Sequence, residues 1–140
     1  MPGDVEGPVT ARAALEAVWA RMAAGDLPGA ARFVADDVLV QDGPLRFDRR
    51  DDFWRNLAEF GAAFSDQRWD PVQWTEAGDT AVAEVVFSAV HAGPYLGRAP
   101  TGRRISIAEA VVVRVSEAGL ITHWRSYPDA VSLLGQIGAL

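Results

Sequence analysis

The sequence contains no cysteine and no lysine, and its only histidines are His91 and His123. Without cysteine there is no disulfide, thiolate nucleophile or thiolate-ligated metal. Without lysine there is no Schiff base and no phosphate-loop lysine. The motifs of dinucleotide binding and of a nucleophilic serine elbow are missing as well, and nothing has the spacing of a zinc site. An enzyme with this sequence must therefore work with carboxylates, imidazoles, hydroxyls and water.

The charge balance is acidic, with 19 acidic side chains against 13 arginines and a net charge of −6. There is no run of arginines and no apolar stretch long enough to span a membrane, so we expect neither nucleic acid nor membrane as a partner. Residues 1–8 are polar and lack a signal-peptide pattern, which predicts a flexible tail and a cytoplasmic protein. The length of 140 residues predicts one domain over residues 9–140.

Apolar periodicity predicts three helices in the first half of the chain. The first runs from near Thr10 to Gly25, and Asp26 is expected to cap a short second helix. Asp48 is expected to open the third helix, whose apolar residues are Phe53, Leu57, Phe60 and Phe64.

Alternating apolar residues predict strands at 38–42, 67–75 and 80–91, and then a long hairpin over 105–127 with its turn at 117–119. Asp129 is expected to cap a closing helix. Helices followed by long strands are typical of an α+β fold, in which helices pack on one face of a curved antiparallel sheet to form a cone. The apolar interior of such a cone is a pocket for a small molecule.

One residue breaks the pattern of the hairpin. Glu109 falls in the middle of a strand face whose other members are all apolar: Ile105, Ile107, Val111, Val113 and Val115. Because strand side chains alternate with period two, no small change of register brings Glu109 to water. Glu109 therefore marks either a cavity or, if the face is assigned wrongly, a structural ion pair with Arg103, Arg114 or Arg125.

The same parity places Asp42 and His91 on the cavity face, which predicts a site with three titratable groups. Asp42 beside Gly43 is alternatively a turn-forming residue, and His91 at a strand end is alternatively a solvated residue. Tyr95, in the Gly/Pro-rich stretch 93–100, is expected to lie on a mobile lid. The cavity walls are predicted to be Trp19, Met22, Val40, Trp69, Val85, Phe87, Ala89, Val111, Trp124 and Ser126.

Burial raises the pKa of a carboxyl group, and a second carboxylate nearby raises one of the two further. One group can then stay protonated as a donor while the other acts as a base. We therefore expect proton transfer at a carbon alpha to a carbonyl, with Asp42 as the base and His91 or protonated Glu109 polarising the oxygen.

Short motifs in a fixed order add a resemblance. They are 23–27 (AAGDL), 33–38 (FVADDV), 40–42 (VQD), 91–93 (HAG), 100–103 (PTGR), 119–124 (GLITHW) and 133–138 (LLGQIG). With them the chain resembles the nuclear transport factor 2-like superfamily, and more narrowly its SnoaL-like polyketide cyclases, limonene epoxide hydrolases and ketosteroid isomerases. The resemblance implies a cystatin-like α+β barrel and a homodimer.

The resemblance also bears on single residues. Asp42 stands where ketosteroid isomerases hold their general base, and Asp129 is nearest to the catalytic Asp of SnoaL-like cyclases, although the segment before it is one residue longer. The catalytic triad of limonene epoxide hydrolases is not matched, because Val85, Phe87 and Ser126 stand in its places.

The function expected from these features is a cofactor-independent and metal-independent cyclase or isomerase. Its substrate would be a hydrophobic polyketide- or terpenoid-like molecule of natural-product biosynthesis. Two alternatives stay open: an epoxide-opening hydrolase or cyclase, and a module that binds a ligand or dimerises without catalysis.

Overall fold

The computed structural model describes residues 9–140, so the tail predicted for residues 1–8 lies outside the described residues. Within this range four α-helices and six strands follow one another. They are α1 (Ala11–Ala23), α2 (Leu27–Ala30), β1 (Val34–Asp42), β2 (Leu45–Phe47), α3 (Arg50–Ala63), β3 (Phe64–Ala77), β4 (Thr80–His91), β5 (Arg104–Val115), β6 (Ile121–Pro128) and α4 (Ala130–Gln136).

Three helices begin where they were predicted to begin, two of them at the predicted caps Asp26 and Asp129. The side chains of Thr10, Asp26 and Asp129 each accept a hydrogen bond from a backbone N–H in the first turn of α1, α2 and α4, which satisfies a donor that the helix itself leaves free. The expected start of α3 at Asp48 is wrong. That helix follows Arg49, whose side chain makes no capping hydrogen bond.

The strands form one sheet in the order β2-β1-β6-β5-β4-β3. The neighbours β1 and β6 run parallel, so the expectation of a purely antiparallel sheet is wrong at this pair. The two strands are far apart in the chain, which leaves ample length for the crossover that parallel strands need. The sheet is curved but open, with β2 and β3 at its edges. The closed barrel implied by the resemblance is therefore not formed.

Two strand boundaries differ from the expectation. β1 begins at Val34 rather than at residue 38. The sequence pattern missed this start because Asp36 and Asp37, which are exposed, interrupt the apolar alternation. Phe64, which continues the apolar spacing of α3, instead starts β3 with extended backbone and pairs with His91. The short strand β2 was not predicted.

The long hairpin of β5 and β6 is confirmed. Val113 lies opposite Trp124 and Val111 opposite Ser126, so these four side chains share the concave face of the sheet. At the turn, Gly119 has a φ of +81°, a conformation that favours glycine because a side chain is strained there.

Helices α1 and α3 cover the concave face. Phe53 of α3 is 1% exposed, and its ring meets the rings of Trp54 and Trp124 edge-on at centroid distances of 5.6 and 5.5 Å. Burial of a large apolar side chain of this kind contributes roughly 1.5–3 kcal/mol to folding. No helix among residues 9–140 combines the length and apolar character needed to cross a bilayer. The helices stop short of filling the concave side, and this leaves a cavity.

Candidate active site

A cavity of about 600 Å³ lies between the concave face of the sheet, helices α1, α3 and α4, and residues 94–96. Most of its wall is apolar and aromatic. Trp19 stacks on Trp69 with centroids 5.8 Å apart and planes 8° from parallel. Ten residues predicted for the site lie in this wall: Trp19, Met22, Asp42, Trp69, Phe87, Tyr95, Glu109, Val111, Trp124 and Ser126.

Asp42 and Glu109 bring two carboxyl groups into this apolar space. Asp42 ends β1, where it lies opposite Ser126 of β6. Glu109 lies within β5, opposite Pro128 of β6. Among residues 9–140, neither carboxyl group has an arginine or histidine within salt-bridge distance. The ion pair considered for Glu109 is therefore absent from the described part of the chain.

The two carboxyl groups differ from ordinary surface acids in their proton affinity. Burial first, and then the charge of Asp42, together raise the pKa of Glu109 from its ordinary value of 4.5 to about 8. Burial also raises the pKa of Asp42. Since an apolar surrounding disfavours the charged form, Glu109 holds its proton at neutral pH. The second carboxyl group, Asp42, is the one whose charge acts on Glu109.

Ser126 lies beside Asp42 on the neighbouring strand. The indole Nε1–H of Trp124 donates a hydrogen bond of 2.7 Å to the Oγ of Ser126, and this contact is buried. The donor occupies the oxygen, so the serine hydroxyl hydrogen is directed elsewhere. Among the described residues, no acceptor receives that hydrogen.

Tyr95 lies at the mouth of the cavity on a tight turn. Its backbone N–H and C=O pair with those of Arg98, and Leu96 and Gly97 between them have φ values of 49° and 73°, as in the two-residue hairpin turns that need positive φ at both positions. The ring of Tyr95 meets Phe64 edge-on at 5.0 Å. Burial, and then the charge of Asp42, raises the pKa of the Tyr95 hydroxyl. The predicted motion of this turn as a lid stays a prediction.

His91 does not reach the cavity. It faces the concave side as the parity predicted, but it is fully buried beyond the end of the cavity and its ring stacks on Phe64 at 5.1 Å. Its Nδ1 accepts a hydrogen bond from the backbone N–H of Thr101 at 3.2 Å, and its Nε2 has no partner among the described residues. The expectation of three titratable groups in one site, and the alternative of a solvated His91, are both wrong.

Asp129 also lies outside the cavity wall. Its carboxylate accepts a hydrogen bond of 3.1 Å from the N–H of Ser132 and caps α4, while its exposed position keeps it away from the predicted role in catalysis. Three predicted wall residues are core instead. Val40, Val85 and Ala89 face the concave side but are covered by helices and neighbouring strands, because parity assigns a face and not the opening above it.

Helices α3 and α4 contribute wall residues that the sequence reasoning missed. The apolar spacing of α3 was seen, but it indicated packing and gave no sign that a cavity lay opposite. Asn56, on the same side of that helix, is polar and was passed over. The main residues missed are Phe53, Asn56, Leu57, Phe60, Leu133 and Leu134.

Within residues 9–140, no three acidic or histidine side chains converge so that they could hold a metal ion. The lining of the cavity contains three acids, Asp42, Glu59 and Glu109, and no arginine or histidine from the described range. Its chemistry is that of carboxyl groups and a hydroxyl in an aromatic surrounding. Proton transfer is what such groups can perform.

Solved structures share this fold. IdmH of Streptomyces antibioticus, a proposed polyketide cyclase, is 21% identical, covers 89% of this chain and 96% of its own, and superposes with a TM-score of 0.78. A proposed SnoaL-like polyketide cyclase of Jannaschia sp. CCS1 is 14% identical over 99% of both chains, with a TM-score of 0.84. AclR of Streptomyces galilaeus, a proposed hydroxylase, is 20% identical over 92% of this chain and 81% of its own, with a TM-score of 0.82.

At these identities the likeness establishes the fold alone. No curated protein sequence matches the chain. The sequence profile of the SnoaL-like polyketide cyclases, however, matches residues 9–137, which is nearly the whole chain. Together with the open cone of six strands and four helices, this shows that the chain belongs to the SnoaL-like polyketide cyclase family of the nuclear transport factor 2-like superfamily.

Proposed function

We propose that this protein is an acid/base cyclase or isomerase that acts on a hydrophobic polyketide- or terpenoid-like small molecule in natural-product biosynthesis. The observation that carries the proposal is the pair of carboxyl groups, Asp42 and Glu109, in one aromatic cavity without a basic partner among the described residues. Membership of the SnoaL-like family supports a cyclase-type role. The proposed cyclases among the structural neighbours support it as well.

The chemistry follows from the two protonation states. The carboxylate of Asp42 takes a proton from a carbon alpha to a carbonyl group, and protonated Glu109 donates a hydrogen bond to the oxygen on which negative charge develops. In a cyclisation the enolate carbon attacks a second carbonyl carbon, the C=O π bond opens to an alkoxide, and Asp42 returns its proton to that alkoxide. In an isomerisation the proton returns at another carbon. Aligned acid and base groups each accelerate such a step by roughly 10²–10⁴-fold.

The walls favour a ligand with rings. A volume of about 600 Å³ lies within the range of pockets that enclose ligands of drug size. The stacked pair Trp19 and Trp69, with Phe60 and Phe87 beside it, presents flat apolar surfaces. Aromatic faces of this kind pack well against a fused ring system.

Proton exchange in a simple ketone tests the proposal without the natural substrate. We expect the protein to accelerate exchange of the alpha protons of 2-tetralone for deuterium in D₂O, followed by the loss of their proton NMR signals. Asp42→Asn should remove the acceleration. Asp37→Asn is the matched control, because Asp37 is exposed on the same strand and changes the net charge equally.

Equal exchange rates with wild type, with Asp42→Asn and in buffer would contradict the proposal. If 2-tetralone bound in the cavity and showed no accelerated exchange, the non-catalytic alternative would be favoured instead. No observation favours the epoxide-opening alternative. Val85 stands in one of the places of the hydrolase triad, and it is an apolar residue that lies in the core rather than in the cavity.

We propose further that two copies of the chain associate through the convex face of the sheet. A groove at the β2–β1–β6 edge of this face is lined by Arg46, His123 and Arg125, beside exposed Leu39. Glu84 lies on the same face in β4, the strand next to the opposite edge of the sheet. A two-fold axis through the face would bring Arg46 and Arg125 of one copy towards Glu84 of the other.

Light scattering tests this association. We expect a dimer mass for the wild-type chain and a monomer mass for Val112→Arg, because Val112 lies on the convex face between Val82 and Arg125. A monomeric wild-type chain would contradict the dimer. Circular dichroism of the variant controls for loss of the fold.

A further inference from the structure

The charges that line the cavity are of one sign. The acidic groups are Asp42, Glu59 and Glu109, while no arginine or histidine from residues 9–140 reaches the wall. The chain has 13 basic residues, all of them arginine. A ligand that carries a carboxylate would therefore enter without a counter-charge and against the charge of Asp42.

One hydroxyl group in the wall is prepared as a hydrogen-bond donor. The Oγ of Ser126 already accepts the indole N–H of Trp124 at 2.7 Å, and Ser126 is only 4% exposed. A serine hydroxyl has one hydrogen, and here no acceptor among the described residues takes it. Since a buried donor without a partner is unfavourable, this hydrogen is available to an acceptor oxygen of a ligand.

The position of Ser126 relates that donor to the proposed base. Ser126 lies directly opposite Asp42 across the parallel β1–β6 pair, and opposite Val111 across the β5–β6 pair. Glu109 lies two residues from Val111 on the same face of β5. Because β6 lies between β1 and β5 in the sheet, the hydroxyl of Ser126 lies on a strand flanked by the strands that carry the two carboxyl groups.

We infer that the cavity takes uncharged carbonyl compounds in preference to the corresponding acids, and that the hydroxyl of Ser126 is the donor that recognises the carbonyl oxygen. The inference rests on the proposed function, because it concerns the ligand of the same cavity. It names Ser126 as a residue that determines specificity, with Trp124 as the positioning residue behind it.

The preference has a simple electrostatic cause. An ionised ligand carboxylate gives up its hydration on entry and finds only neutral donors in exchange, so its charge has no counter-charge among the described lining residues. A ketone or amide of the same shape gives up far less hydration and satisfies the free hydroxyl hydrogen of Ser126. Discrimination of about tenfold corresponds to only about 1.4 kcal/mol and is well within the range of these effects.

Three 2-substituted naphthalenes of nearly equal shape and the unsubstituted parent test the inference in the intact protein at pH 7. They are naphthalene-2-carboxamide, 2-acetylnaphthalene, naphthalene-2-carboxylate and naphthalene itself. Equilibrium dialysis, with the naphthalene absorbance reporting the free ligand, gives their dissociation constants. We expect the amide and the ketone to bind at least about tenfold more tightly than the carboxylate, which differs from the amide chiefly in its charge.

Variants separate the two parts of the inference. Ser126→Ala should weaken the ketone and the amide about tenfold while leaving naphthalene unchanged, because naphthalene has no oxygen to recognise. Asp42→Asn should improve binding of the carboxylate, and Asp37→Asn should not. Naphthalene thus controls for a collapsed cavity, and Asp37→Asn controls for net charge.

The inference is overturned if the carboxylate binds within about threefold of the amide, or if no neutral probe binds up to its solubility limit. Equal weakening of naphthalene and the ketone by Ser126→Ala would overturn the role of Ser126. These measurements contain no chemical step. Binding selectivity can therefore fail while 2-tetralone exchange persists, and exchange can fail while selectivity holds.

Discussion

The pKa values of two carboxyl groups on the surface of this protein and of two in its cavity are shifted in opposite directions. On the surface, Asp79 accepts a hydrogen bond of 3.0 Å from the Nε of Arg114, which lowers the pKa of the Asp79 carboxyl. The pKa of Asp26 is lowered in the same way, first by the backbone N–H of Gly29 and then by Arg21. Arginine and backbone donors keep these groups ionised.

In the cavity the balance is reversed. Asp42 and Glu109 have no arginine beside them within the described chain, and burial raises the pKa of both. Since the chain has 13 arginines, the absence of any from the cavity wall is a property of the site and not of the composition. The comparison teaches that burial raises the proton affinity of the cavity carboxyl groups, whereas backbone and arginine donors lower the proton affinity of the surface ones. Clusters of raised pKa values in a cleft are typical of acid/base sites.

The largest effect is expected from Asp42→Asn. Removal of the ionisable group should lower kcat for any productive substrate by roughly 10²–10⁴-fold, because the amide cannot accept the substrate proton. Asp37→Asn, which removes an exposed carboxylate from the same strand, should leave kcat unchanged. Similar kcat values for the two variants would show that the cavity carboxylate matters no more for the reaction than the surface one.

A second prediction concerns Glu109 and the alkaline limb of the rate profile. If protonated Glu109 donates to the substrate oxygen, activity of the wild-type protein should fall as pH rises through about 8. Glu109→Gln retains an N–H donor that does not titrate in this range. The variant should therefore keep part of the activity and lose the alkaline limb, as measured by kcat/KM against pH. If the variant kept the alkaline limb of the wild type, the loss of activity at high pH would come from the titration of a group other than Glu109.

A third prediction links the same residue to stability. Below pH of about 4.5, Glu109 is protonated in the folded and the unfolded chain, so its ionisation has no effect there. Between 4.5 and about 8 the unfolded chain loses the proton first, and this destabilises the wild type relative to Glu109→Gln by up to about 1.4 kcal/mol per pH unit. Above that range the difference levels off. Urea unfolding at several pH values measures it, and a flat difference would contradict the raised pKa.

Part of this site could be predicted from local patterns. Every second residue of β5 from Ile105 to Val115 is apolar except Glu109 itself, so period two alone assigned Glu109 to the concave face. The same rule, applied to Val38 and Val40, assigned Asp42. Both assignments needed only the alternation of the neighbouring residues in the same strand, which determines the face on which a side chain lies.

The rest depends on elements that are distant in sequence. His91 and Phe87 lie on the same face of β4. Phe64, at the start of β3, covers His91, whereas Phe87 stays in the cavity wall. That difference in depth depends on how β3 and α4 are placed, and strand parity has no information on it. The parallel pairing of β1 with β6, which brings Asp42 beside Ser126, joins segments more than 80 residues apart in the chain and leaves no local signal.

His91 provides a smaller test, since it is a buried titratable group outside the cavity. His91→Leu removes the acceptor for the backbone N–H of Thr101, which should lower the free energy of unfolding by about 1 kcal/mol. Loss of the unpartnered Nε2 offsets part of that effect. The pH dependence of kcat should stay as in wild type. A lower kcat at unchanged stability would give His91 a role in the reaction.

The smallest effect is expected from Asp79→Asn on the surface. Asp79 and Arg114 are both about half exposed, and pairs of this kind are screened by water and salt. The variant should therefore unfold close to the wild-type midpoint in urea, and the small difference should disappear at 1 M NaCl, where screening is nearly complete. A large destabilisation that persists in high salt would show that arginine pairing on the surface organises the fold. The contrast with the cavity would then be one of degree, because both sets of carboxylates would govern stability through their neighbours.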